Sequence, residues 1–153
     1  MRFPSVSATD LNGRQVAFPD DFGPGPTLVL VAFQRWQQDL VDEWLPLARE
    51  LAGAYDGFDY YEFPVIARIY GPTRWLVDGG MRAGIPDPEA RARTVTLYVD
   101  KAGFRESLGL ESEETVYALL VVDGEVTWRA AGRPTADREA DLRDAVERAH
   151  ARA

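Results

Sequence analysis

Residues 28–46 constrain the fold of this chain more than any other stretch. The apolar run Leu28-Val29-Leu30-Val31-Ala32-Phe33 ends in a polar elbow, Gln34-Arg35-Trp36-Gln37-Gln38. Beyond it the apolar residues change period, with Leu40, Val41, Trp44, Leu45, Ala48 and Leu51 spaced to share one helical face. A buried strand feeding an amphipathic helix is the expected unit. Asp39 is the expected N-cap, with Asp42 and Glu43 in the first turn, where carboxylates suit orphan N–H groups and the positive end of the helix dipole. Pro46 falls inside the helix, where proline removes a hydrogen bond and kinks the axis at a cost of roughly 3 kcal/mol. A chain that keeps one there has a particular geometry to satisfy.

The other elements follow from turn signals and spacing. Asn12-Gly13, between two short alternating runs, marks an N-terminal β-hairpin, and Gly23-Pro24-Gly25-Pro26 punctuates the entry to the first core strand. Residues 53–59 read as a loop and Tyr60-Tyr61-Glu62-Phe63 as a short aromatic strand. Pro64 is expected to close that strand and open a helix through Val65, Ile66, Ile69 and Tyr70. Gly71-Pro72 breaks this helix, which resumes towards Trp75, Leu76 and Val77. Residues 78–88 form a Gly/Pro-rich connection, and 89–93 lead out of it. Next come a strand at 94–99, a short helix at 102–108 stopped by Gly109, and a buried run at 116–122. Asp123-Gly124 turns that run into a hairpin partner at 125–131, and Thr135 caps a terminal helix with Leu142, Ala145, Val146 and Ala149 on one face. This alternation is an α/β pattern, and its hairpin makes the sheet mixed. A length of 153 residues suits one domain with a single core.

Charge and composition limit the functions open to such a chain. Seventeen basic residues against 25 acidic ones give a net charge of −8, which disfavours nucleic acid as a partner. No apolar run approaches the ~20 residues of a membrane helix, so membrane association is not expected and a cytoplasmic location is. The chain contains no cysteine, which excludes disulfides, thiolate metal sites and thiol catalysis together. His150, the one histidine, lies three residues from the C-terminus and reads as a solvated surface residue, so neither a metal site nor a catalytic triad is expected. Nothing matches a nucleophile elbow, a Walker A loop or an EF-hand. No cofactor is expected.

The strand, the elbow and the kinked helix resemble the first strand and active-site helix of the thioredoxin superfamily, in which a Cys-x-x-Cys lies between a strand-end Phe and a helix-kinking Pro. Those four positions fall here on Gln38, Asp39, Leu40 and Val41. The hairpin around Asp10-Leu11-Asn12-Gly13 and the stretch from Asp100 to Val126 resemble the AhpC/TSA (peroxiredoxin) and TlpA branch. The resemblance implies a thioredoxin-like fold: a central mixed sheet flanked by helices, with an N-terminal β-hairpin. The proline that those enzymes hold in cis opposite the reactive thiol falls at Thr115 or Val116, so both marks of the redox site are absent. The stretch from Leu97 to Gly132 also loosely resembles the mitochondrial ATP-synthase assembly factors of this fold.

Thiol redox chemistry needs a thiolate at the helix N-terminus. Gln38 and Asp39 cannot supply one. The reading is therefore a non-redox binding or assembly module with no catalytic residues, holding a protein or peptide partner on the former active-site face. Its candidate residues are Gln34, Arg35, Trp36, Gln37, Gln38 and Asp39. The plainer account of the elbow is a Trp36 ring packed under the loop beside solvated polar residues. Arg82, in Gly79-Gly80-Met81-Arg82-Ala83-Gly84, is a second candidate that could hold an anion with backbone N–H groups; the plainer account is a helix end that needs glycine caps. Asp78, Asp87, Asp100 and Glu62 read as solvated caps and turns. The competing class is an enzyme with carboxylate or arginine chemistry in a remodelled pocket built from Arg82, Asp78 and Asp39. Oligomeric state has no signature in the sequence.

Overall fold

The computed structural model describes residues 1–67, 85 and 87–151. Its strands are β1 (Val6–Asp10), β2 (Gln15–Phe18), β3 (Thr27–Ala32), β4 (Asp59–Ala67), β5 (Val95–Val99), β6 (Tyr117–Val122) and β7 (Glu125–Ala131). They form one seven-stranded sheet in the order β2-β1-β5-β4-β3-β6-β7. β3 runs parallel to β4 and β4 parallel to β5, while β6, β7 and the β1–β2 hairpin join antiparallel. The sheet is mixed, as expected. Its central strand is the apolar run of the sequence, with Leu28 to Val31 fully buried because both faces are covered.

Alternation along β3 assigns the two faces. Val29 and Val31 point into a phenylalanine-rich layer with Phe3, Phe18, Phe63 and, from α3 (Lys101–Leu108), Phe104 and Leu108. Leu28 and Leu30 point the other way, against α1 (Gln38–Ala54) and α4 (Ala136–Ala151). α1 buries Val41, Trp44, Leu47, Ala48 and Leu51 and passes through Pro46 without ending; Leu40 and Leu45 stay half-exposed at the rim. Trp44 is completely buried, and its indole N–H donates to the Gly132 carbonyl at 2.9 Å, tying α1 to the loop before α4. Gly109 ends α3 with φ +66°, in the left-handed region that favours glycine. At the outer edge of β7, Phe3 N–H donates to Gly124 O and Val126 N–H to Met1 O.

One expectation is corrected. Pro64, Val65 and Ile66 are not a helix start, because β4 continues through them to Ala67. Its pairing with β3 ends at Ala32↔Pro64 and its ladder with β5 covers Val65 to Ala67, so the proline sits where one ladder hands over to the other. A residue without an N–H is tolerated at such a place. The expected helical pieces beyond it, from Ile69 to Val77, lie outside the described residues. Before β5 comes the short α2 (Pro88–Arg93), with Asp87 as N-cap accepting from Glu89 N–H at 3.2 Å and Pro88 in the first turn.

Candidate functional site

The elbow folds as a 3-10 turn over Arg35–Gln37 that runs directly into α1. The turn sends two successive side chains in opposite directions. Gln37 points inward and is fully buried, whereas Trp36 points outward and is 58% exposed. The Gln37 amide makes three hydrogen bonds: its Oε1 accepts from Phe33 N–H at 2.8 Å and Gln34 N–H at 3.2 Å, and its Nε2 donates to Glu113 O at 2.7 Å. One side chain thus joins the end of β3, the turn and the loop leading into β6. The same loop is held from the other side. Lys101 Nζ donates to Phe33 O at 2.9 Å and lies 3.7 Å from the Glu113 carboxylate, while Arg105 Nε donates to Glu113 Oε2 at 3.1 Å. Phe33 packs edge-on against Tyr117, whose hydroxyl accepts from Ser112 N–H.

Asp39 is not the N-cap. The helix begins at Gln38, the cap position is Gln37, and Asp39 lies exposed in the first turn, where its charge meets the dipole without a capping bond. Beside it, Gln38 Nε2 donates to Asp42 Oδ1 at 2.9 Å and to Glu62 Oε1 at 3.1 Å. Glu62 lies half-buried on β4, on the face covered by α1. Burial is the main cause that pushes its carboxyl above the ordinary range; the Gln38 hydrogen bond opposes this, and the Asp42 charge adds to it. Glu62 is therefore no solvated turn residue. Asp87 and Asp100 do stand at helix starts, as caps would.

The elbow candidates therefore separate. Arg35, Trp36, Gln38 and Asp39 face solvent, Gln34 is half-buried, and Gln37 is a buried structural pin. Trp36 does not pack under the loop. Arg82 and Asp78 lie outside the described residues. Sequence reasoning missed Glu113, Lys101 and Arg105, which carry no pattern, and undervalued Glu62, whose signal was a lone charge in an aromatic strand. Among the described residues no group of three or more His, Asp or Glu could hold a metal ion, and no helix is long and apolar enough to cross a membrane. The peptide bonds before Thr115 and Val116, the positions aligned with the redox proline, are trans.

No family model matches the chain, and no curated protein does. Solved structures do match in three dimensions. A thiol:disulfide interchange protein from Bacteroides sp. superposes with a TM-score of 0.59 at 19% identity, over 97% of this chain and 88% of that one. BsSco, of the Sco family of cytochrome c oxidase assembly proteins, gives 0.60 at 13% identity, over 97% and 93%. A thioredoxin-family thiol:disulfide interchange protein from Chlorobium tepidum gives 0.53 at 16%, over 97% and 95%. At such identities the likeness speaks for the fold. The chain has the thioredoxin-like fold, with an N-terminal β1–β2 hairpin and interchange- and Sco-type structural neighbours, and having no cysteine it performs no thiol redox chemistry.

Proposed function

We propose that this protein is a non-redox binding or assembly module that engages a protein or peptide partner through the elbow face. The observation that carries the reading is Trp36, an aromatic side chain held 58% exposed on a turn fixed from beneath by Gln37. An exposed indole on a rigid support loses little freedom on docking, which is why tryptophan is over-represented among residues that dominate interfaces. Gln34, Arg35 and Gln38 around it offer donors and acceptors for a polar rim. The test is a pull-down from the native host with the wild-type protein and with Trp36→Ala. A partner retained by the former and lost by the latter supports the reading. Identical captures would refute it.

One observation favours an enzyme instead. Glu62, with its carboxyl raised chiefly by burial and bonded to Gln38, has the properties of a proton donor or acceptor at the N-terminus of α1. A hydrolase screen of wild type against Glu62→Gln discriminates the two classes: turnover abolished by this isosteric change would establish the enzyme.

A further inference from the structure

The two edge strands of the sheet are finished differently. In the ladder of β1 with β2, Asp10 N–H donates to Arg14 O, and alternation from that pair turns the N–H and C=O of Ala17 outward. Asp21 takes both groups: its Oδ2 accepts from Ala17 N–H at 2.6 Å, and its own N–H donates to Ala17 O at 2.8 Å. That edge is plugged against pairing with another chain. β7 is covered over its first half only. There residues 1–3 run antiparallel to it, with Arg2 opposite Glu125, Phe3 N–H on Gly124 O at 2.8 Å and Val126 N–H on Met1 O at 2.7 Å. Further along, Gly132 N–H donates to Val116 O at 2.8 Å, so Gly132 turns towards β6 while Ala131 and Arg129 turn their N–H and C=O groups away from it. Both residues are exposed, and among the described residues nothing pairs with these four groups.

From this we infer that the bare half of β7 takes an added β-strand, an extended segment of a partner protein that continues the sheet antiparallel to Arg129–Ala131. That the occupant is another protein rests on the binding-module reading; the edge adds a second surface and the partner's conformation. Residues 1–3 already hold the same edge in this sense. Main-chain hydrogen bonds supply affinity in such pairing, and alternate side chains supply selectivity. Half-buried Trp128 and Ala130, on the face covered by α1 and α4, border one set of added side chains, and exposed Arg129 and Ala131 border the other. The fitting segment therefore alternates apolar and polar residues. A second copy is the poorer occupant, because two hydrogen-bonding residues are a short seam for an interface that needs about 1,200 Å² of buried surface. A partner segment can run on. Val31, Tyr117 and Ala131 lie in one row across the sheet, two strand spacings or about 10 Å from end to end, and the elbow begins just beyond Val31.

The test titrates a peptide of alternating Thr and Val, with a lysine at each end for solubility, into the isotope-labelled full chain and follows backbone amide signals by NMR. The Arg129 and Ala131 amides should shift and exchange more slowly with solvent, while Gln15 on the β2 edge stays unmoved. With Val beside Trp128 and Ala130, the Thr amides are the ones that face β7. A peptide N-methylated on every Thr should therefore fail to bind, and one N-methylated on every Val should bind as before. Ala131→Pro removes an outward N–H and no bond to β6, so it should abolish the shifts while the circular dichroism spectrum is kept. Silent Arg129 and Ala131 amides, or equal binding by the Thr-methylated peptide, would overturn the inference. A dimer seen by sedimentation without peptide and lost in Ala131→Pro would give the edge to a second copy and overturn it too. If the edge is silent while a host partner is still captured in a Trp36-dependent way, strand addition falls and the module reading stands. If the edge binds and Trp36→Ala changes no capture, strand addition stands and the elbow reading falls.

Discussion

Replacing Gln37 by alanine tests the central structural claim, that one amide holds the elbow. The substitution orphans three backbone groups. Phe33 N–H is buried and would lose its 2.8 Å acceptor, which costs about 1–3 kcal/mol when no water replaces it. Gln34 N–H and Glu113 O are only partly buried and regain some hydration, so each contributes about 0.5–1 kcal/mol. Together this predicts a loss of about 2–5 kcal/mol. With a urea slope of about 2 kcal/mol/M, the midpoint followed by far-UV circular dichroism should fall by about 1–2.5 M. Gln37→Glu adds a sign to the test. It keeps the acceptor for Phe33 but sets an oxygen against the Glu113 carbonyl, so the variant should be weakest at neutral pH and recover in acid, where a protonated carboxyl can donate. A midpoint shift below about 0.3 M for Gln37→Ala, the range of an exposed glutamine, would refute the argument.

Other outcomes follow from the same geometry. Glu62 is protonated more readily in the folded than in the unfolded chain, so its contribution is fully present below the unfolded value and is lost as pH rises through the folded one; Glu62→Gln should flatten this decline and gain stability at neutral pH in urea titrations across that range. Asp39→Ala should cost no more than about 0.5 kcal/mol, because Asp39 meets the dipole but makes no capping bond; a loss near 1 kcal/mol or more would return it to the cap. Wild type should neither reduce insulin nor consume peroxide with a thiol donor. In Gln38→Cys/Val41→Cys the residues lie nearly one turn apart and should form a disulfide, yet position 41 is 2% exposed and the facing loop is tied to Gln37, so insulin reduction should stay near background.

What could be read in advance was governed by local periodicity. The burial of residues 28–33, the apolar face of α1, the Asn12-Gly13 hairpin and the Thr135 start of α4 all depend on neighbours within a few positions, and the structure contains each of them. The extension of β4 through Pro64 depends on β3 and β5, which lie more than thirty residues away on either side, so a local rule preferred the helix. The elbow shows the same limit more finely. Five consecutive polar or aromatic residues carry no sign of which one turns inward. Only the 3-10 geometry, which starts α1 at Gln38, selects Gln37 for the core and turns Trp36 out. Glu113, 76 residues downstream, was invisible as its partner.

The Gln37 pin also bears on how this surface can change over generations. The turn is held from within by Gln37, and the exposed side chains of Arg35 and Trp36 carry little of the folding burden. Their side chains can be exchanged while the backbone beneath keeps its course. A population of such chains can explore new recognition properties with small losses of stability, as antibody loops do on their rigid framework.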